Sequence, residues 1–364
     1  MRYAFFTNTP AHVHLYKHAV RALEAEGHDV LVLGRDYGCT EALLDAYDLP
    51  YVVYGSCETS KLSLFSRLPG HYATIARTVR EFDPDLLFGM GGYAAHAGLV
   101  SRTPVVLILD SEPTSLDHAV SRPFARAILT PHAFEKELGS NHYRFRGFKE
   151  TAYLHPDVFE ADPSIRDRLG VGPDEPYAIV RFNAFGSHHD VGQGGFTPDQ
   201  RRTLLDRLSD DATVFVSDEG DDLAVGSLGD DVRPYDLHPA RLHDALAEAR
   251  LLVADTQTMV TEAAMLATPA VRSNSFVGDD DMGNFLELES EGLVRNVGAF
   301  DEVVETATDL LADADAPARW ARRRDDYVAD VVNLTDVITA VATAEGAVDR
   351  VDAISRRAPA PHAD

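Results

Sequence analysis

The feature that most constrains this chain is an alternation, run through twice. Short, almost purely apolar runs are separated by longer stretches whose apolar residues recur with a helical period. Apolar runs without polar alternation are strands buried on both faces, and strands separated by helical segments pair in parallel beneath a cover of helices. In the first half the runs are Tyr3–Phe6, Val30–Leu33, Tyr51–Tyr54, Leu86–Phe88, Val105–Leu109 and Ala127–Leu129. Between the first two lies His14–Ala25, apolar at Leu15, Ala19, Ala22 and Leu23 and closed by Gly27 as a C-terminal cap. Phe82-Asp83-Pro84 and Arg102-Thr103-Pro104 mark returns from helix to strand, because proline drives the residue before it out of the helical region.

From Pro156 to Pro176 the chain turns rich in Asp, Pro and Gly, which reads as a hinge opening at Leu154-His155-Pro156. The alternation then resumes with strands at Tyr177–Val180, Thr213–Val216, Leu251–Ala254 and Ala270–Arg272. Helices are expected near Pro198–Leu208, Pro239–Ala249, Val260–Leu266 and Phe300–Leu311, and the tail from Ala316 to about Val351 is helical in composition. The expected architecture is α/β: two Rossmann-like, doubly wound domains facing a cleft, over residues 1–155 and 156–335. A C-terminal helix and tail, 336–364, would cross back onto the first domain. A length of 364 residues suits two cores better than one.

Charge narrows the partners. There are 59 acidic residues against 33 basic ones, a formal net charge of -26, and only four lysines: Lys17, Lys61, Lys136 and Lys149. Such a surface repels nucleic acid. With 45% hydrophobic residues the chain is nevertheless a folding one, suited to a salt-rich, halophilic cytosol, where in molar salt a Debye length of about 3 Å screens its self-repulsion. Cys39 and Cys57 make no disulfide framework, which fits a reducing, cytoplasmic compartment. No apolar run approaches the roughly 18 residues of a membrane span. The N-terminus reads as a first buried strand rather than a signal peptide.

In a doubly wound sheet, ligands bind beyond the C-terminal ends of the strands, so the loops there are the first place to look for chemistry. After the first strand comes Thr7-Asn8-Thr9-Pro10-Ala11-His12-Val13-His14. His12 is a candidate general base on an acceptor hydroxyl, with Asn8, Pro10 and His14 as acceptor-binding neighbours. His14 and His18 lie one helical turn apart, but no acidic third ligand accompanies them, and no metal is expected. After the fourth strand, Gly89-Met90-Gly91-Gly92 leads into a small-residue helix; Gly91 and Gly92 suit close backbone approach to a phosphate. After the fifth stands Asp110-Ser111-Glu112-Pro113, where Asp110 and Glu112 are candidates for sugar binding or base catalysis.

The second half repeats the arrangement. Asp255-Thr256-Gln257-Thr258 follows a strand and opens a helix, with Thr258 a candidate N-terminal cap and Thr256 beside free amides suited to a diphosphate. Glu262, one turn on, is placed to take both ribose hydroxyls. Arg181, after Tyr177–Val180, is a candidate bidentate phosphate partner, and His188-His189-Asp190 with Gly192 reads as a mobile loop.

Glu262-Ala263-Ala264-Met265-Leu266-Ala267-Thr268-Pro269-Ala270 resembles the Glu-Ala-x-x-x-Gly-x-Pro element of GT-B glycosyltransferases and UDP-GlcNAc 2-epimerases, in which the glutamate binds the nucleotide ribose. Three further segments, Asn8 to His14, Gly27-His28-Asp29-Val30 with Arg35 to Gly38, and Gly147-Phe148-Lys149-Glu150-Thr151-Ala152-Tyr153-Leu154, resemble an uncharacterised prokaryotic family of predicted glycosyltransferase-like proteins. His12-Val13 is similar to the His-Val pair of peptidoglycan-precursor GlcNAc transferases, although the glycines before it are missing. Asn8-Thr9-Pro10 stands where the epimerases carry an Arg-Pro-Glu type element.

The resemblance implies a GT-B fold and a glycosyltransferase working from a nucleotide sugar, UDP-linked, with no cofactor beyond that substrate. The acceptor would be a glycan or lipid-linked hydroxyl in cell-surface glycan or glycolipid synthesis. Weak peripheral membrane contact would require a small exposed apolar patch, since no basic segment anchors the chain. The alternatives are a non-hydrolysing UDP-GlcNAc 2-epimerase-like enzyme and a non-catalytic nucleotide-sugar binding protein.

Overall fold

A computed structural model describes residues 1–56, 61–183, 194–219, 229–278 and 281–356, with the backbone alone for 61–66. Cys57 and the segment His188-His189-Asp190 with Gly192 lie outside the described residues. In chain order the strands are β1 (Arg2–Thr7), β2 (Asp29–Asp36), β3 (Tyr51–Ser56), β4 (Leu86–Gly89), β5 (Val105–Ile108), β6 (Ala127–Pro131), β7 (His142–Phe145), β8 (Tyr177–Phe182), β9 (Thr213–Asp218), β10 (Val232–Pro234), β11 (Leu251–Ala254), β12 (Ala270–Arg272), β13 (Val294–Asn296) and β14 (Ile354–Ser355). They form two sheets, ordered β14-β7-β6-β5-β4-β1-β2-β3 and β10-β9-β8-β11-β12-β13, parallel throughout except for the β14–β7 pair.

The chain divides into two units, Met1–Phe159 with Asp330–Asp364, and Glu160–Ala329. In the first, β1 is buried on both faces, as a central parallel strand must be. Ala4 and Phe6 join a core with Leu87, Val105 and Leu107 and with Ile75 and Val79 of the helix Lys61–Phe82. The alternate residues face the other way, where Phe5 stacks on Phe88 at 5.0 Å and meets Tyr16 of the helix Pro10–Ala25. That helix opens at Pro10, earlier than its apolar periodicity marks, because proline at the first helical position gives up no hydrogen bond.

The chain returns to the first unit at its end. Helix Leu334–Thr343 packs on Pro10–Ala25, with Thr335 donating to the Ala152 carbonyl at 2.7 Å and Tyr3 donating to Ala342 at 3.1 Å. Val332 donates its amide to Arg146, and β14 then adds antiparallel to β7. The first unit thus resumes at Asp330, before the last helix.

In the second unit β8 and β11 are the buried central strands. Helix Pro198–Ser209 starts in a capping box: Thr197 Oγ1 accepts from the Gln200 amide, and Gln200 Oε1 accepts from the Thr197 amide. Trp320 is fully buried, its indole donating to the Leu293 carbonyl at 2.7 Å. Arg272, also fully buried, pairs with Asp281 at 2.5 Å and lies over the Phe285 ring at 3.7 Å. Among the described residues no helix is long and apolar enough to cross a membrane.

Candidate functional site

In each sheet the strand order reverses next to the first strand of the unit, between β1 and β4 and between β8 and β11. Loops leaving the two strands at such a point diverge, so a crevice opens there. A hydrogen bond from the loop after the first strand spans each crevice. In the first unit Asn8 Nδ2 donates to the Met90 carbonyl at 3.0 Å, and in the second the Asn183 amide donates to Asp255 Oδ1 at 2.7 Å.

Asn8 is fastened from four sides. Besides Met90, its Oδ1 accepts from Tyr54 at 2.9 Å, its carbonyl accepts from Arg35 Nε at 3.0 Å, and its amide donates to His12 Nδ1 at 3.1 Å. The last bond decides the tautomer of His12. With Nδ1 accepting, the neutral ring carries its proton on Nε2, so the remaining nitrogen is a donor. Burial, against the pull of Asp110 and with help from Lys149 and Arg35, pushes the His12 pKa down to about 3, which keeps the ring neutral at ordinary pH.

Asp110, just past β5, accepts a hydrogen bond from Lys149 Nζ, which also stands 3.4 Å from Glu150 Oε1. The three side chains are only 20%, 12% and 4% exposed respectively. Burial by itself would raise the Asp110 pKa, but the Lys149 charge and hydrogen bond, with His12, outweigh it and hold the carboxyl below its ordinary range. Burial likewise opposes the Lys149 charge, and the two carboxylates overcome it and raise its pKa. Tyr16 completes the cluster: among the described residues its buried hydroxyl has no hydrogen-bond partner, and burial and the Asp110 charge both raise its pKa.

Lys149, Glu150 and Tyr16 carry no assignment from motif reading. A signal existed for Lys149: it is one of only four lysines in an Arg-rich chain, within the Gly147–Leu154 segment. Other expected residues have different surroundings. His14 is buried against Tyr153, ring centroids 5.3 Å apart, with Tyr47 Oη 3.3 Å from its Nδ1. It is a core residue on the inner side of the helix that Pro10 begins. Gly91 and Gly92 do open a helix, Gly91 with φ of 83°, but the anion received there is the chain's own: the Gly92 amide donates to Asp117 Oδ1 at 3.0 Å. A phosphate at the same place would meet that carboxylate. Glu112 Oε1 accepts from the Glu135 amide at 3.4 Å, while its carbonyl takes Lys136 Nζ at 2.7 Å.

In the second unit Asp255 is almost wholly buried, and among the described residues neither its Oδ2 nor the neighbouring Thr256 hydroxyl has a hydrogen-bond partner. Burial raises the Asp255 pKa to about 6, moderated by the Asn183 amide and by Arg201. The helix Thr258–Met265 follows. Gln257, not Thr258, holds its cap position, and among the described residues no side chain caps it. Its first amides therefore keep their dipole unopposed by a side chain. Glu262, in the second turn, is buried with Oε1 3.0 Å from His243 Nε2. Arg181 reaches Ser217 and Glu219 on its own sheet, so its guanidinium is already engaged. Among the described residues no group of three His, Cys, Asp or Glu side chains is placed to hold a metal ion.

Two doubly wound sheets, each with its chemistry-bearing residues at the strand ends of the switch point, define the GT-B class of fold. Over residues 3–340 the chain matches the family described as "Protein of unknown function (DUF354)", and it belongs to that family. An uncharacterized protein of Methanocaldococcus jannaschii is 21% identical over 345 residues, covering 84% of this chain and 94% of the relative. Solved structures with the same fold include the S. aureus MnaA–UDP co-structure, with a TM-score of 0.68 at 12% identity over 94% of this chain and 96% of that one. The spinosyn forosaminyltransferase SpnP gives 0.65 at 15% identity over 95% and 99%. The UDP-GlcNAc 2-epimerase of Neisseria meningitidis bound to UDP-GlcNAc gives 0.61 at 11% identity over 95% and 99%.

Proposed function

We propose that the protein is a glycosyltransferase that moves a sugar from a nucleotide sugar to an acceptor hydroxyl, in the making of cell-surface glycans or glycolipids. The observation that carries this reading is the second unit's switch point, where among the described residues the helix start is uncapped and the Thr256 hydroxyl beside it is unpartnered, with Glu262 in the next turn. The amides near Thr258 would hold the diphosphate, which leaves as the sugar departs, and the helix dipole would stabilise its growing charge without a metal. Glu262, positioned by His243, would take the ribose hydroxyls. UDP-sugars are the first donors to try, since two of the neighbouring structures carry UDP or UDP-GlcNAc.

The first unit would hold the acceptor. Its base is Asp110 rather than His12, whose accepting nitrogen is spent on Asn8. A carboxylate is a weak base, but it suffices because the acceptor oxygen becomes strongly acidic once its bond to the anomeric carbon forms. His12 Nε2–H then donates to the same hydroxyl or to the sugar and orients it.

A second reading, epimerisation at C2, is favoured by one observation. Asp110 and Glu150 share Lys149, and removing and returning a carbon-bound proton needs two such groups. The test is thermal-shift binding of a panel of nucleoside diphosphates in molar KCl, on wild type and Glu262→Ala, followed by product analysis with the donor found. Stabilisation by one nucleotide that the variant loses supports the donor site. Nucleoside diphosphate released only with an acceptor then supports transfer, and a sugar inverted at C2 without one supports epimerisation. No shift with any nucleotide overturns both readings.

A further inference from the structure

Seven large hydrophobic side chains are conspicuously exposed among the described residues, and five of them belong to one face of the first unit: Leu99 (57%), Val100 (41%), Leu116 (78%), Val120 (40%) and Phe124 (41%). They come from the helices Gly92–Ser101 and Ser115–Ser121 and the turn Arg122–Phe124, which pack on one another. The face is held rigid. His96 has one ring nitrogen 2.7 Å from Tyr72 Oη and the other 3.0 Å from the Val120 carbonyl, while Phe124 stands edge-on to its ring at 5.5 Å. Clusters of this kind mark contact surfaces, because water gains nothing from them.

The charges on this face run against those of the chain. Arg102, Arg122 and Arg126 are exposed, and among the described residues none of them has an ion-pair partner. Arg102 and Arg126 flank a groove of about 630 Å³ that Leu99 and Phe124 also line. Arg102 does so from a left-handed backbone position, φ of 62°, that favours glycine. The carboxylates of the same stretch are engaged elsewhere: Asp110 with Lys149, Asp117 with the Gly92 amide, Glu112 with the Glu135 amide. In a chain of net charge -26 this face sets three exposed arginines around its apolar side chains.

We infer that this face docks on a bilayer surface carrying anionic lipid, with Leu99, Leu116 and Phe124 entering the boundary between headgroups and acyl chains and the three arginines meeting headgroup phosphates. A second copy of the chain fits worse, because a symmetric contact would set the same arginines against each other. The remaining acidic surface opposes approach to such a membrane, so docking depends on this face and on salt that shortens the reach of the opposing charge. The inference stands on the patch and not on the reaction. Leu116 follows Glu112 closely in the chain, so the docked face adjoins the loop that carries Asp110.

The test is flotation with phosphatidylglycerol–phosphatidylcholine vesicles and with phosphatidylcholine alone, across a series of KCl concentrations at which the protein stays folded. Wild type is expected to float with the anionic vesicles only. Arg122→Ala and Arg126→Ala should each weaken binding about fivefold, from about 1 kcal/mol per basic residue at an anionic surface. Leu116→Ser with Phe124→Ser should abolish flotation, while thermal unfolding of all variants stays at the wild-type temperature. Absence of wild-type flotation overturns the inference. So does flotation that the substitutions leave unchanged, or a wild-type dimer in sedimentation that the same substitutions dissociate.

Discussion

Asp110 in the first unit and Asp255 in the second occupy the same kind of place, just past a buried strand at the C-terminal edge of a parallel sheet, and they titrate in opposite directions. Burial raises both. Asp110 has Lys149 against it, so its net pKa falls below the ordinary range; among the described residues Asp255 has backbone amides and the Arg201 charge, which do not offset burial, and its pKa rises to about 6. Position at a strand end thus offers a carboxylate to the crevice, and the partner it finds there decides its charge. One unit presents a fixed negative charge. The other presents a carboxylate that turns neutral just below physiological pH, beside the start of the helix Thr258–Met265.

The contrast is broken most severely at Lys149. Lys149→Met leaves Asp110 and Glu150 buried without their cation, and denaturant unfolding at pH 7 should show a loss of about 3–5 kcal/mol. Two-state behaviour with unchanged stability would mean that the cluster relaxes into solvent. Asp110→Asn keeps the shape and removes the charge; turnover with saturating donor and acceptor should fall by about 100- to 10,000-fold if this carboxylate takes the acceptor's proton. A fall smaller than tenfold would move the base elsewhere.

The Asp255 arm is read through pH. A carboxyl whose folded pKa lies above its unfolded value destabilises the fold at high pH and ceases to do so as pH drops through about 6 toward 4. The rise from the ordinary 3.8 to about 6 corresponds to about 3 kcal/mol. Asp255→Asn should therefore stabilise by up to that amount at pH 8 and by little at pH 4. The difference curve between variant and wild type is the proper readout, because two half-buried neutral histidines act the other way. His12, held near 3, and His18, near 4, stabilise the fold above their unfolded pKa and lose that contribution as pH falls. Asp110 adds a loss of the same sign, since a depressed carboxylate stabilises above its unfolded pKa of about 3.9 and stops doing so when protonated. A flat difference curve for Asp255→Asn would erase the contrast between the units.

The smallest effect expected is on binding alone. Glu262→Ala should weaken the bound nucleoside diphosphate by about 1.5–3 kcal/mol, the usual worth of hydrogen bonds to a charged group, measured by calorimetry. Equal loss in His243→Ala and none in His243→Gln would assign His243 a positioning role through its contact with Glu262.

Much of the fold was legible because strand and helix periods are local. Tyr3–Phe6, Val105–Leu109 and Leu251–Ala254 are dense apolar runs, and each lies in or across a central strand of its sheet. Four strands gave no such signal, among them the two-residue edge strand Ile354–Ser355. Val232–Pro234 and Val294–Asn296 are three-residue edge strands, which need little apolar surface. His142–Phe145 is buried yet half polar: His142 lies 2.8 Å from Thr130 Oγ1, and Arg144 donates to Glu137 at 2.8 Å. Partners outside the strand satisfy those groups, and no window over the strand itself contains them.

The candidate site divides in the same way. Periodicity and loop chemistry placed Asn8, His12, Asp110, Thr256, Thr258 and Glu262 at strand ends, because the direction of a parallel strand follows from its connection to the next. Which of them is charged, donates or is already engaged was decided only in three dimensions. Asp110 is ionised by a lysine 39 residues away, and His12 takes its tautomer from the loop that begins its own helix. Asp117 fills the helix start that Gly91 and Gly92 advertise to a phosphate. Periodicity acts between neighbours in the chain, whereas the energy of a charge depends on distance and burial, and those exist only once the strands have been brought side by side.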